Sequence, residues 1–137
     1  MDNRQDLVAL IREKDTFGKK LGIEIVEAEN GNSRVRMTLD ESTANAVGNA
    51  HGGVLYSIAD YAFATACNSE GDLSVAIEGS IQYMAPCPSS GVVEAIAKRT
   101  HETRRLGFYR IDVGRPGEKP VAQGQFVCYK IAPRNDG

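Results

Sequence analysis

The sequence has little net charge, few cysteines and no long apolar run, and each shortage excludes a class of protein. Its 16 Lys and Arg against 18 Asp and Glu leave a formal net charge of -2 and a pI near 5.7. These values argue against nucleic-acid binding, which relies on a broad basic face. No run approaches the ~18 apolar residues that cross a membrane, and the charged start lacks a signal-peptide core. We therefore expect a cytoplasmic protein with neither nucleic-acid nor membrane partners.

The cysteines give no sign of a disulfide framework or a metal site. Their number is odd, and their spacing is not that of metal ligands: Cys67, Cys87 and Cys128. We therefore expect a reducing compartment and no bound metal.

Length and composition predict one globular domain over residues 1–137. The chain is 42% hydrophobic and 25% charged, and it shows no internal repeat, low-complexity segment or linker. A short amphipathic helix over Asp6 to Lys14 occupies the N-terminal segment 1–14, and we place the core at about 15–132.

The order of patterns predicts an α+β fold. Alternating residues predict strands near 21–29, 33–40, 75–83, 92–100, 106–114 and 121–132, and Asn30-Gly31 predicts a tight hairpin turn. Between the second and third strands runs one long apolar helix from Gly53 onward. Short turns imply an antiparallel sheet, so we expect about six strands curled around this helix.

Asp60 is the only charged residue of the long helix. At ~100° per residue it lies opposite the centre of the apolar stripe, near Gly53, Tyr56 and Ala64. A carboxylate in such a helix needs partners or a shifted pKa. Taken by itself, this position predicts a buried acid that pairs with a side chain or caps backbone groups.

The segment NAVGNAHGGVLYSIAD, followed by AFATACNSEG, resembles the hotdog-fold acyl-CoA thioesterases. The likeness is to their PaaI-like branch, typified by the phenylacetyl-CoA thioesterase of aromatic-acid degradation. It rests on spacing: His51 follows Asn45 by six residues, and Asp60 follows Gly53 by seven. The resemblance implies a hotdog fold that hydrolyses an aromatic or short to medium acyl-CoA to the acid and CoA, with CoA part of the substrate and no separate cofactor.

The resemblance also assigns roles. The Gly52 amide stabilises the oxyanion, Asn45 orients substrate or water, Asp60 acts as base or nucleophile, and His51 assists by orientation. A helix N-terminus suits the first role because its N–H groups are free, and Gly53 lets the substrate approach. Each residue also has a structural alternative: Asn45 and the glycines as turn residues, and His51 as a cap.

The helix is too long for its N-terminal amide and the Asp60 of the same chain to act on one thioester. From Gly53 to Asp60 it rises about 10.5 Å, whereas a held carbonyl and an activated water ask for roughly 6 to 8 Å. A partner subunit's Asp60 would resolve the conflict, and the resemblance implies a site at a homodimer interface, often within a homotetramer. The resembling family often has a further hydroxyl or polar side chain on the next strand that holds the attacking water. That position falls on or near Ala76, with Ser74, Glu78 and Ser80 as neighbours, so the sequence does not identify this helper.

Cations for the CoA phosphates are offered by the segment KRTHETRR. Its candidates, with the last two preferred, are Lys98, Arg99, Arg104 and Arg105. The alternative is a solvated turn at a sheet edge. Two other functions stay open: a non-catalytic acyl-CoA-binding module, and a hydroxyacyl-thioester dehydratase, which needs a His base where only His51 and His101 exist.

Overall fold

The computed structural model describes residues 6–133, and a six-stranded antiparallel sheet wraps one long helix. The elements run α1 (Leu7–Lys14), α2 (Thr16–Leu21), β1 (Glu24–Glu29), β2 (Asn32–Leu39), α3 (Gly52–Cys67), β3 (Leu73–Tyr83), β4 (Gly91–Glu102), β5 (Leu106–Gly114) and β6 (Ala122–Ala132). Residues 1–5 and 134–137 lie outside the described part, so the start of the predicted segment 1–14 does too.

The sheet has the strand order β1-β2-β4-β5-β6-β3, with every neighbouring pair antiparallel. The predicted hairpin between β1 and β2 is confirmed: Asn30 and Gly31 both have positive φ, 55° and 79°, as a tight turn of matching twist requires. Because β3 joins at the far side of β6, β1 and β3 form the two free edges.

The core lies between α3 and the inner face of the sheet. Helix α3 contacts every strand, and alternate strand residues such as Val35, Val93 and Ile111 are fully buried against it. The Phe63 ring stacks on Phe126 with centroids 5.1 Å apart. The predicted arrangement of about six strands around the helix is confirmed, and the alternation exists because one face of each inner strand is covered.

The N-terminal segment differs from the prediction in one respect. The strand expected from residue 21 begins at Glu24, because a second helix, α2, precedes it. Asp15 ends α1 in an extended conformation and then caps α2, accepting a hydrogen bond from Gly18 N at 2.8 Å. Gly22 ends α2 with φ 73°.

Within residues 6–133, no helix combines the length and apolarity that a membrane crossing demands.

Candidate active site

The loop before α3 is held firmly against its neighbours. His51 N donates to Thr43 O at 2.8 Å, and Ala50 N donates to Cys87 O at 2.7 Å. Asn45 N donates to Asn49 O at 2.7 Å, which closes the loop on itself. These backbone bonds fix where α3 begins, and the helix starts at Gly52, one residue before the predicted Gly53.

His51 caps the helix, which is the structural alternative given for this residue above. Its Nδ1 accepts a hydrogen bond from Gly53 N at 2.8 Å. The Gly53 amide is therefore occupied, whereas the Gly52 amide has no acceptor in the described part of the chain. Of the two glycines, Gly52 alone presents a free backbone donor at the positive end of the helix dipole.

Asn45 takes the structural alternative stated for it, that of a turn residue. Its Oδ1 accepts from Val47 N at 3.1 Å and from Asn49 N at 3.0 Å, so the side chain caps its own loop. With the oxygen engaged, the Nδ2 group is the part that remains available as a donor to a ligand.

A cleft of about 430 Å³ opens beside the helix start. Asn45, Gly52 and Tyr83 are among its lining residues. The Tyr83 hydroxyl donates to Gly52 O at 2.8 Å, which steadies the first helical turn. Sequence reasoning missed Tyr83; the only available signal was an aromatic residue ending the strand after the helix.

Asp60 lies on the uncovered stripe of α3, the face of the helix that residues 6–133 bury only in part. The residues of the helix that are not buried share this stripe: Gly52, Gly53, Tyr56, Ser57, Asp60 and Ala64. Burial of its surroundings raises the pKa of the Asp60 carboxyl, and the nearby Asp15 carboxylate raises that pKa further. Within residues 6–133 the carboxyl has no hydrogen-bond or ion-pair partner. A half-buried, unpaired carboxyl of raised pKa suits a proton acceptor.

The structure brings Asn45, His51, Gly52 and Gly53 together, but it leaves Asp60 apart from them. Asp60 does not line the cleft beside Gly52, and eight residues of helix separate the two, a rise of about 12 Å. One chain therefore holds both groups on one stripe without joining them in one pocket.

The basic segment lies at the opposite end of α3. Arg99 forms an ion pair with Glu70, three residues beyond the end of the helix at Cys67, and it lies 3.6 Å from Glu102. Arg99 is thus engaged in the fold. Within one chain this segment is remote from the Gly52 amide.

The remaining basic candidates differ in their engagement. Arg105 Nη1 donates to Lys130 O at 3.3 Å, whereas the exposed Lys98 and Arg104 have no ion-pair partner in the described residues. Ala76, where a helper hydroxyl was expected, lies on β3 opposite Cys128. No group of three or more His, Cys, Asp or Glu side chains within residues 6–133 is placed to hold a metal ion.

Comparison with known proteins identifies the family and the fold of the chain. The family model of the thioesterase superfamily matches residues 47–122, which span the end of the loop, α3, the three strands β3 to β5 and the first residue of β6. The acyl-coenzyme A thioesterase PaaI of Escherichia coli K12 is 36% identical over 119 residues, covering 87% of this chain and 85% of that protein.

Solved structures give the same result. The E. coli PaaI protein from the phenylacetic acid degradation operon superposes with a TM-score of 0.88 at 33% identity, covering 94% of this chain and 93% of that one. A mutant of the phenylacetic acid degradation protein PaaI of Thermus thermophilus gives 0.79 at 31% identity, covering 84% and 98%. The predicted hotdog fold is confirmed. The chain therefore belongs to the thioesterase superfamily, within its PaaI-like branch.

Proposed function

We propose that this chain hydrolyses acyl-CoA thioesters to a free acid and CoA. The observation that carries the proposal is the stripe of α3, which presents a free Gly52 amide at one end and an unpaired Asp60 carboxyl of raised pKa further along. Membership of the thioesterase superfamily and the activity named for the E. coli relative support it.

The chemistry needs an oxyanion donor and an activated water. The thioester oxygen accepts the Gly52 N–H, where the helix dipole favours developing negative charge. Asp60 takes a proton from water as its oxygen attacks the carbonyl carbon, and then returns the proton to the departing CoA thiolate. Asn45 orients the acyl group through Nδ2. In the alternative route, Asp60 attacks the carbonyl carbon itself, the C–S bond breaks and the CoA thiolate leaves and takes a proton from solvent. Water then opens the mixed anhydride to the free acid and the Asp60 carboxylate.

An isotope experiment tests the nucleophilic route, because label found in Asp60 identifies it. A single turnover in ¹⁸O-labelled water places the label in the product acid when Asp60 acts as base. When Asp60 is the nucleophile and water attacks the anhydride at the Asp60 carbonyl, the label enters the enzyme.

The acyl group that we propose is aromatic or of short to medium length. The phenylacetic acid degradation named for the related structures supports an aromatic acid. The test is thiol release from aromatic and straight-chain acyl-CoAs by wild type, Asp60→Asn and Glu118→Gln. We expect at least a 100-fold loss in Asp60→Asn and none in Glu118→Gln, which removes an exposed carboxylate between β5 and β6. CoA esters that bind without any thiol release would show a binding module instead.

The two free sheet edges indicate how a second chain completes the site. Edge strand β1 has six residues and carries Glu24, Glu27 and Glu29, a charged pattern that discourages pairing. Edge strand β3 has 11 residues with one charge, Glu78, and it exposes apolar side chains such as Ile77. We therefore propose a homodimer that pairs β3 with β3 and brings Asp60 of one chain to Gly52 of the other.

A pair of matched substitutions tests this assembly. Ile77 and Val26 are 59% and 50% exposed, and each lies at a register shift of its edge strand. We expect Ile77→Asp to sediment as a monomer and to lose at least about 100-fold in kcat/KM, whereas Val26→Asp keeps both properties. A fully active Ile77→Asp monomer would refute the shared site. The same sedimentation run counts the subunits and so tests the homotetramer.

The CoA phosphates need cations that one chain's cleft does not supply. We propose that Lys98 and Arg104 reach the nucleotide bound at another subunit's Gly52. Arg104→Ala should raise KM several-fold with little change in kcat, and the effect should shrink at high salt because screening weakens exposed contacts. The three buried free thiols, at Cys67, Cys87 and Cys128, support a cytoplasmic site of action.

A further inference from the structure

Tyr56 lies midway between the two groups of the proposed site. It follows Gly52 by four residues and precedes Asp60 by four, on the same uncovered stripe of α3. Residues four apart on a helix have Cβ atoms about 6 Å apart, so Tyr56 neighbours both groups. The pKa of the Tyr56 hydroxyl is raised first by burial and then by the Asp60 carboxylate, which agrees with this proximity.

The Tyr56 hydroxyl is held in place but is free to bind. Its ring packs on Phe126, with centroids 5.4 Å apart. A Cβ atom at position 79 would lie only 2.5 Å from Tyr56 Oη, so Gly79 leaves the space that the hydroxyl needs. This oxygen has no hydrogen-bond partner among residues 6–133, and every fully buried side-chain N or O in that part has one. The hydroxyl therefore reaches solvent.

Two-fold symmetry keeps Tyr56 at the centre when a second chain is added. In an isologous pair, a contact of residue i with residue j is repeated as j with i. Antiparallel helices that place Gly52 beside the partner's Asp60 consequently bring Tyr56 close to the partner's Tyr56. Whichever chain supplies the carboxyl, one Tyr56 lies one helical turn from it in the chain and the other lies one helical turn from the oxyanion donor.

We propose that Tyr56 is a further catalytic residue, whose hydroxyl holds the attacking water beside Asp60. The inference rests on the proposed thioesterase function, with Asp60 as the base. Water donates one hydrogen to the Asp60 carboxylate and the other to Tyr56 Oη, which leaves a lone pair directed at the carbonyl carbon. The first proton passes to Asp60 and then to the CoA thiolate, while the tyrosine keeps its own.

The test compares Tyr56→Phe with Tyr61→Phe, together with wild type and Asp60→Asn. Tyr61 lies on the same helix but is buried in the core, so it controls for the loss of a hydroxyl from α3. Because the ring remains, we expect Tyr56→Phe to keep its Tm. Its kcat should fall about 10- to 100-fold with KM within about twofold of wild type. Tyr61→Phe should keep wild-type kcat.

The other outcomes each overturn the inference. A Tyr56→Phe enzyme within twofold of wild-type kcat, while Asp60→Asn is inactive, removes Tyr56 from the mechanism and leaves the proposed function intact. A raised KM with unchanged kcat, a fall in Tm that accompanies the loss, or an equal loss in Tyr61→Phe shows a binding or structural role instead. If wild type releases no thiol from any ester, the proposed function fails and this inference fails with it.

Discussion

The two ends of α3 use their polar groups in opposite ways. At the start, the Gly52 amide has no acceptor within the described residues and faces an open cleft. At the end, Asn68 Nδ2 donates to Ala64 O and Ser74 O at 2.8 and 3.2 Å, and Asn68 Oδ1 accepts from Ser74 N at 2.9 Å. Ser69 Oγ also donates a hydrogen bond to Ala66 O at 2.7 Å.

The charged groups near the two ends of α3 differ in the same way, since, in the described part of the chain, those beyond the helix end are paired and the one on the stripe is not. Beyond the helix end, Lys130 lies 3.6 Å from Asp72, with side chains only 6% and 4% exposed, whereas Asp60 on the open stripe has no ion-pair partner among residues 6–133. Polar groups without a partner in the protein can bind a substrate, whereas groups whose hydrogen bonds and ion pairs are formed inside the protein stabilise the fold. We call the Gly52 end of α3, with the stripe that carries Asp60, the open end, and the Cys67 end the closed end. Substitutions at the closed end should therefore change stability, and those at the open end should chiefly change activity.

The largest expected loss of stability follows Lys130→Met. The ammonium group donates to Glu102 at 2.7 Å and to Thr103 O at 3.0 Å besides facing Asp72. Removing it takes the counter-charge from a buried carboxylate, which costs about 3–5 kcal/mol. Urea unfolding measures the loss, and Lys20→Met, at an exposed position, is the control. A loss below about 1 kcal/mol would mean that other contacts already satisfy Asp72.

Asn68→Ala should come next. The change deprives the Ser74 N–H and C=O of a partner inside the protein, at a cost of about 1–3 kcal/mol. Because Asn68 is remote from the open end, kcat measured per folded molecule should stay within about twofold of wild type. Loss of kcat without loss of stability would contradict the division between the two ends.

His51→Ala should cost about 1 kcal/mol, since it removes the acceptor of the Gly53 amide at an exposed cap. Activity should fall about 10-fold because the Gly52 donor loses its fixed position. His51→Ser restores an acceptor at the cap and should recover most of the rate. A Ser variant as slow as the Ala variant would give the imidazole a chemical role in place of an orienting one.

Local patterns account for the features that the sequence predicted correctly. The Asn30-Gly31 turn, the alternation in the strands and the helical spacing that puts Asp60 opposite the centre of the apolar stripe all depend on near neighbours in the chain. The free Gly52 amide also follows from local rules, because the first turn of any helix leaves N–H groups without partners.

Contacts between distant residues account for what the sequence did not predict. Tyr83 reaches Gly52 across 31 residues, and Arg99 reaches Glu70 across 29. Neither contact produces a periodic pattern in the sequence. Tyr83 was therefore not predicted as a site residue, and Arg99 was predicted as a cation for CoA although it is engaged in the fold. The extra helix α2 depends on Asp15 serving as the end of one helix and the cap of the next, which spacing alone does not distinguish from a loop.

Asp60→Asn should raise stability slightly while it lowers activity, which is the reverse of the closed end. Burial and Asp15 raise the pKa of Asp60 above its ordinary value of 3.8, so the folded state binds this proton more tightly than the unfolded state. The free energy of unfolding then falls as the pH rises from the ordinary to the raised pKa, and it stays lower at every pH above both.

Asparagine carries no such charge, so the variant should have a higher free energy of unfolding than wild type at pH 7, and the difference should shrink as the pH approaches 4. Urea unfolding from pH 4 to 8 measures it, with Glu118→Gln, at an exposed position between β5 and β6, as a control that should change stability by less than about 0.5 kcal/mol. A variant less stable than wild type at pH 7 would show that the carboxylate is satisfied by contacts in the assembled protein, and that it supports the fold.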